Sequence, residues 1–108
     1  MRTGDIVLIP FPFSELTEVK LRPAIVIAET KDKYKDLVLS AISSQVSDSL
    51  STTEILVQPD SSNGLRAVSV VKVDRIFTLK AEKVIARIGK FSTSQLVTFK
   101  MIFRSLVD

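Results

Sequence analysis

The chain has 108 residues, of which 45% are hydrophobic and 25% charged, and its formal net charge is +3. This length and composition fit a single domain spanning residues 1–108, because one hydrophobic core typically serves a domain of about 100–150 residues. The sequence contains no cysteine, histidine or tryptophan, which excludes disulfides, thiolate nucleophiles, Ser-His-Asp triads and zinc sites built from cysteine or histidine.

The first predicted element is an apolar stretch over residues 5–13. Pro10 and Pro12 interrupt it, and it is far shorter than the roughly 20 residues that a membrane-spanning helix needs. No cationic segment of signal-peptide type precedes it. We therefore expect a cytoplasmic protein without membrane contact. The sequence also lacks a tight acidic cluster, so we expect neither a metal nor a cofactor.

Six short runs rich in β-branched residues predict strands along the chain. They cover residues 5–9, 23–29, 36–42, 53–57, 67–73 and 83–89. Between the fourth and fifth runs, residues 60–64 predict a turn, because the Asn63-Gly64 pair readily supplies a positive φ.

The last segment predicts a helix. Ser92 and Gln95 have the spacing of a capping box, in which Ser92 is the N-cap. An apolar stripe at helical spacing follows, and we interpret it as a core or dimer contact rather than a surface that stacks on bases. Its members are Leu96, Phe99, Ile102, Phe103 and Leu106. Short strands followed by one helix predict an α+β fold with a strongly bent antiparallel sheet or barrel.

The charges are distributed unevenly along the chain. Residues 1–60 contain six Lys and Arg against nine Asp and Glu, whereas residues 61–108 contain nine against three. The first half therefore has a balance of −3 and the second half of +6. A basic half is typical of proteins that bind polyanions such as nucleic acid, although a solvated lysine-rich face has the same composition.

Four segments in order resemble the MazF/PemK family of bacterial toxins. They are Gly-Asp-Ile-Val-Leu-Ile-Pro-Phe-Pro-Phe at 4–13, Leu-Arg-Pro-Ala-Ile-Val-Ile at 21–27, Ala-Ile-Ser-Ser-Gln at 41–45 and, more weakly, Gly-Leu at 64–65 leading into 69–76. The resemblance covers nearly the whole chain. It implies a homodimer of small SH3-like antiparallel barrels with about six to seven strands and a C-terminal helix. It also implies a sequence-specific, metal-independent endoribonuclease that cuts single-stranded RNA, inhibits growth and is restrained by a cognate antitoxin.

The resemblance also assigns candidate site residues. Arg22 matches the arginine of the family's Arg-Pro motif, which is assigned to catalysis, and Ser43 stands where the family usually has a catalytic threonine. The loop over residues 14–21 matches a mobile loop that covers RNA and that antitoxins displace. Candidate RNA contacts are Thr17, Glu18, Lys20, Ser44, Gln45, Lys72, Asp74 and Arg75. Two features depart from the family: Pro10 replaces an acidic residue found in some members, and the loop lacks their Gly-Ser-Glu-Gln sequence.

A chain without histidine can still cleave RNA, because RNA carries its own nucleophile, the 2′-hydroxyl. The protein must align that hydroxyl with the phosphorus and stabilise the negative charge that develops. Arginine suits the second task through its planar fork, but its pKa of roughly 13 does not suit acid–base catalysis near neutral pH. We therefore assign Arg22 an electrostatic role, to which Lys20 would add positive charge. The expected products are a 2′,3′-cyclic phosphate and a 5′-hydroxyl.

Two other functions remain open at the level of sequence. One is a non-enzymatic toxin of the same fold that poisons DNA gyrase, and the other is a catalytically silent barrel that binds RNA or protein. The helix ends in Phe103-Arg-Ser-Leu-Val-Asp108, without the terminal tryptophan-containing signature that we associate with gyrase poisons. For the toxin, the expected partner is an antitoxin whose acidic, partly disordered tail lies across the basic surface and the 14–21 loop. Because Arg22 and Ser43 belong to the acidic half, we expect catalysis and phosphate attraction to come from different parts of the chain.

Overall fold

The computed structural model describes residues 1–11 and 20–108. Two of the candidate RNA contacts, Thr17 and Glu18, lie outside this described part. The strands are β1 (Asp5–Pro10), β2 (Leu21–Glu29), β3 (Leu37–Ser43), β4 (Glu54–Val57), β5 (Ser69–Leu79) and β6 (Ala86–Lys90). A short 3₁₀ helix (Ala81–Lys83) precedes β6, and the helix α1 (Thr93–Ser105) follows it.

The strands described form one antiparallel sheet in the order β4-β5-β3-β2-β1-β6. The sheet curls into a half-barrel, and β1 and β2 are buried on both faces. Ile6 and Ile25 belong to one core cluster, whereas their neighbours Val7 and Ala24 belong to the other. Six strands and one C-terminal helix confirm the predicted α+β fold.

The helix α1 covers the first of these clusters with its apolar stripe. Phe99 is 1% exposed and meets Phe91 edge to face, with 6.1 Å between the ring centroids. The remaining stripe residues pack against the same cluster. The predicted capping box is present as well, since Ser92 Oγ accepts from Gln95 N–H while Gln95 Oε1 accepts from Ser92 N–H. The sequence pattern therefore predicted both the start of the helix and its buried face.

The predicted turn over residues 60–64, which we call the closing turn, packs against β6. Gly64 has a φ of +69°, and a β-carbon there would overlap the carbonyl oxygen of Ile88. A β-carbon on Gly89 would likewise overlap the backbone of Asn63. Lys90 N–H donates to Ser62 O over 2.9 Å. The closing turn thus reaches the outer edge of β6 at a distance that only glycines permit.

Strand β5 differs most from its prediction. The sequence predicted a strand over residues 67–73, whereas β5 runs on to Leu79 after an irregularity in its pairing with β3. Ser40 pairs with Ile76 while the next residue, Ala41, pairs with Lys72. Residues 73–75 therefore have no partner on β3, and we call them the β5 bulge. The predicted sixth strand also begins later, at residue 86, because residues 81–83 form the 3₁₀ helix.

Within residues 1–11 and 20–108, no helix is both long enough and apolar enough to cross a membrane.

Candidate functional site

A pocket of about 340 Å³ opens where the start of β2, the end of β3 and the β5 bulge meet. Among the residues described, its lining combines apolar side chains with three cations, one carboxylate and one hydroxyl. The lining residues are Phe11, Arg22, Ala41, Ile42, Ser43, Lys72, Asp74, Arg75, Ile76 and Phe77. Five candidate site residues, Arg22, Ser43, Lys72, Asp74 and Arg75, are therefore brought together in one cavity.

Arg22 is held in the pocket by its position in the sheet and by an aromatic contact. It is the second residue of β2 and pairs with Ile9 of β1. Its guanidinium carbon lies 5.2 Å from the ring centroid of Phe11, a cation–π distance. Its Nε is buried and finds no hydrogen-bond partner among the described residues. A buried guanidinium donor without a protein partner can donate to an anion such as phosphate.

Ser43 ends β3 on the neighbouring side of the pocket. Its Oγ accepts a hydrogen bond from Gln45 N–H over 3.1 Å. A serine hydroxyl that accepts one bond can still donate its own hydrogen. Ser43 can therefore donate to a phosphate oxygen or to the 2′-oxygen of a ribose beside Arg22.

The other three candidates that the structure describes lie outside this lining. Lys20 is exposed just before β2, and its carbonyl oxygen accepts from Phe11 N–H over 3.1 Å. Gln45 is exposed and touches the site through its backbone bond to Ser43. Ser44 faces a separate hollow beside Leu21.

Asp74 of the β5 bulge carries the pocket's carboxylate. Its Oδ2 accepts a hydrogen bond from Thr53 Oγ1 over 3.1 Å. In the described part of the chain, neither Lys72 nor Arg75 forms an ion pair with it. The carboxylate is thus oriented by a neutral hydroxyl and keeps capacity to accept from a ligand.

Lys72 stands at the rim, opposite Glu54 of β4. Hydrogen bonds from Ser51, first of all from its backbone N–H, hold the pKa of Glu54 below its ordinary value, and the positive charge of Lys72 lowers it further. Glu54 is therefore ionised at neutral pH and sits close to one of the three cations. The described ranges contain no group of three or more carboxylates that could hold a metal ion.

The pocket brings candidate site residues from the two halves of the sequence together. Lys72 and Arg75 belong to the basic half of the sequence, and Arg22 and Ser43 to the acidic half, yet all four line the same cavity of one chain. The antiparallel pairing of β3 with both β2 and β5 brings the halves together. A second subunit is not needed to bring these four side chains together.

Sequence reasoning missed three residues that shape the site. Phe11 lies against Arg22, Thr53 holds Asp74, and Ser40 donates from Oγ to Val73 O in the β5 bulge over 2.9 Å. Of the three, only Ser40 could have been found from the sequence. It lies within the apolar run Leu-Val-Leu-Ser-Ala-Ile at 37–42, and a serine buried there needs a hydrogen-bond partner. Nothing in the sequence marks Phe11 or Thr53 as neighbours of the site.

Comparison with known proteins gives a family match and structural likenesses. The family model described as PemK-like, MazF-like toxin of type II toxin–antitoxin system matches residues 2–106. No curated protein sequence matches significantly.

Two solved structures are similar in fold. One is an endoribonuclease in complex with its cognate antitoxin from Mycobacterial species, with a TM-score of 0.72 and 12% identity over 97% of this chain and 92% of that one. The other is the Mycobacterium tuberculosis toxin MazF-mt6, with a TM-score of 0.69 and 20% identity over 96% of each chain. At these identities the likeness concerns the fold.

Proposed function

The chain belongs to the PemK-like, MazF-like toxin family of type II toxin–antitoxin systems, and we propose that it is a sequence-specific endoribonuclease that cleaves single-stranded RNA without a metal ion. Members of this family are known as endoribonucleases. The observation that carries the proposal is the buried Nε of Arg22, which lacks a partner in the described part of the chain and lines the same pocket as Ser43. We also propose that the enzyme acts in the cytoplasm and inhibits growth by cutting messenger RNA.

A phosphodiester of RNA fits the charges of the pocket. Among the described lining residues, Arg22, Lys72 and Arg75 supply three positive charges against the one carboxylate of Asp74. These cations would provide the charge stabilisation that a metal ion provides in other nucleases. Single-stranded RNA is the matching substrate, because unpaired bases can turn into a cavity of this kind and expose their edges to side chains.

The proposed reaction is an internal transesterification. The 2′-oxygen attacks the adjacent phosphorus, the bond from phosphorus to the 5′-oxygen breaks, and a 2′,3′-cyclic phosphate and a 5′-hydroxyl result. One proton leaves the 2′-hydroxyl and one is gained by the 5′-oxygen, so no co-reactant is consumed. Arg22 stabilises the charge on the non-bridging oxygens, and Ser43 donates its hydroxyl hydrogen to the same phosphate group.

For partners, we propose a cognate antitoxin and a second copy of the chain. The similarity in fold to an endoribonuclease solved with its cognate antitoxin supports the first. An acidic, partly disordered antitoxin tail would compete with RNA for Arg22, Lys72 and Arg75, because both present negative charge to the same cations. Family membership supports the proposed homodimer, and sedimentation of the purified protein tests it.

The decisive experiment incubates purified protein with a long single-stranded RNA in the presence of EDTA. We expect the wild type to cut at a few recurring short sequences and Arg22→Ala to lose this activity. Arg104→Ala is the matched control, since it removes the same charge from the exposed end of α1. Equal cleavage by wild type and Arg22→Ala, or none by either, would contradict the proposal. Replacing the 2′-hydroxyl at the cut site with hydrogen should abolish cleavage, and continued cutting would exclude the internal nucleophile.

A further inference from the structure

The β5 bulge is held from both sides by hydrogen bonds. On one side, Ser40 Oγ donates to Val73 O over 2.9 Å. On the other, Val73 N–H donates to Thr53 O over 3.0 Å, and Thr53 Oγ1 donates to Asp74 Oδ2 over 3.1 Å. A bulge leaves backbone groups without partners in the ladder, and here the N–H and the C=O of Val73 are both bonded outside the β3–β5 ladder.

From this arrangement we infer that Thr53 and Ser40 are positioning residues that fix Asp74 at the pocket and thereby determine which RNA base is accepted beside the cleaved phosphate. The inference rests on the proposed ribonuclease function and goes beyond it, because neither residue lines the pocket. Both would act through Asp74 and not by touching RNA.

The burial of Ser40 supports this role. Its side chain is fully buried, between Leu39 and Ala41 in the middle of β3. Burying a hydroxyl costs desolvation free energy, which a hydrogen bond offsets. An apolar residue at this position would avoid that cost. Ser40 lies three residues before Ser43 in β3, and its hydroxyl is hydrogen-bonded to the bulge of the neighbouring strand β5. Ser40 thus ties the strand that ends in Ser43 to the backbone that carries Asp74.

Thr53 acts on the carboxylate itself. An exposed aspartate rotates about its side-chain torsions, and a rotating acceptor discriminates weakly between bases. The hydroxyl of Thr53 holds one oxygen of Asp74, which fixes the direction of the other. An ionised carboxylate only accepts hydrogen bonds. The base that fits is therefore one whose exposed edge presents an N–H donor to the free oxygen of Asp74.

The test compares cleavage-site profiles and kinetics of four variants with the wild type. Thr53→Val removes the hydroxyl at nearly constant shape and keeps the backbone carbonyl that binds Val73. Thr53→Ser restores the hydroxyl, and Ser40→Ala removes the other tie. Thr3→Val is the matched control, because Thr3 Oγ1 also donates to a strand carbonyl, Ile27 O, at the end of β2 remote from Arg22.

We expect Thr53→Val to raise KM for an oligonucleotide with the preferred sequence about five- to tenfold, the equivalent of one lost hydrogen bond. The value of kcat should change far less, and sequencing of the 5′-hydroxyl ends should show relaxed preference at one base position. Thr53→Ser should behave as the wild type, as should Thr3→Val. Ser40→Ala, assayed well below its unfolding temperature, should relax the same position.

Two outcomes would overturn the inference. One is an unchanged KM and base preference in Thr53→Val, and the other is a defect that Thr53→Ser does not rescue. If Ser40→Ala fails to fold, the Thr53 pair decides the question alone. Absence of cleavage by the wild type would instead contradict the proposed function, so the two failures are distinguishable.

Discussion

The closing turn packs against the edge of the sheet at β6, and the pocket lies at the β5 bulge. The two regions differ in how their buried polar atoms are hydrogen-bonded. In the closing turn, the fully buried Asn63 accepts from Asp60 N–H and Leu65 N–H through Oδ1 and donates from Nδ2 to Gln58 O. In the pocket, the Nε of Arg22 is buried and no described residue accepts its hydrogen.

This difference separates what the fold needs from what the site needs. A buried donor without a partner costs about 1–3 kcal/mol, so a sequence optimised only for stability would not retain one. The closing turn uses both side-chain polar atoms of Asn63 to hold its own backbone in place. Within the described part of the chain, the pocket leaves the Nε of Arg22 without a hydrogen-bond partner, and a bound anion would supply one.

The largest expected effect comes from Arg22→Met, which keeps a similar side-chain length and removes the Nε donor that has no partner among the described residues. We expect cleavage to fall about 10²–10³-fold, as for loss of a group that stabilises transition-state charge. The free energy of unfolding should stay within about 1 kcal/mol of the wild type, because the lost contact with Phe11 is offset by removal of the unpaired donor. RNA cleavage assays and urea denaturation measure the two quantities. A variant that unfolds readily would show that Arg22 serves the fold instead.

In contrast to Arg22→Met, Gly89→Ala in β6 is expected to lower the stability of the fold strongly. A β-carbon there would overlap backbone atoms of Asn63 and Ser62, which cannot move as a side-chain end can. We expect a loss of about 3 kcal/mol in unfolding free energy and a fall of roughly 10 °C or more in Tm. Thermal unfolding by circular dichroism tests this, with the exposed Ser61→Ala in the closing turn as control. Equal Tm values for the two variants would mean that the closing turn does not hold β6.

A smaller loss of stability is expected for Asn63→Ala, which leaves the three partners of Asn63 unpaired. We expect about 2 kcal/mol of destabilisation with an unchanged cleavage rate per folded molecule, since Asn63 does not line the pocket. Urea unfolding should shift to a lower midpoint at constant slope. Ser62→Ala, an exposed neighbour, serves as control. A lowered cleavage rate at full folding would contradict the division between turn and pocket.

The smallest effect is expected at the rim, where Glu54 faces Lys72. Because the pKa of Glu54 is lowered in the folded protein, its ionised form adds stability above the ordinary glutamate pKa, and this contribution disappears as the pH falls through the folded pKa. Glu54→Gln should therefore be slightly less stable at neutral pH, and its difference from the wild type should shrink below the ordinary glutamate pKa and vanish below the lowered pKa of the folded state. Denaturation curves over this pH range test the sign. Parallel pH profiles would show that the charge of Glu54 contributes nothing.

The closing turn and the pocket show how much of the structure could be predicted from the sequence. The closing turn was predictable, because Asn63-Gly64 and the positive φ of Gly64 are a local matter. The capping box of α1 was local too. What the sequence could not reveal is that the turn packs on Gly89, since that contact joins segments far apart along the chain.

The β5 bulge, in contrast to the closing turn, could not be predicted from the sequence. The predicted strand ended at Val73 because the apolar pattern breaks at Asp74 and Arg75, which is where the bulge lies; the strand then resumes at Ile76. A bulge depends on pairing with β3, and no local pattern reports that pairing. Arg22 and Ser43 were proposed from family resemblance, and only the tertiary structure shows that they share a pocket with Lys72, Asp74 and Arg75.

The contact between the closing turn and β6 has a consequence for how the protein behaves in a crowded cell. β6 ends the described sheet, and an open sheet edge is a template on which another chain can add a strand and begin to aggregate. On that edge, Ser62 O already accepts a hydrogen bond from Lys90 N–H. The two glycines that allow this approach, Gly64 and Gly89, therefore also close this part of the β6 edge to an added strand.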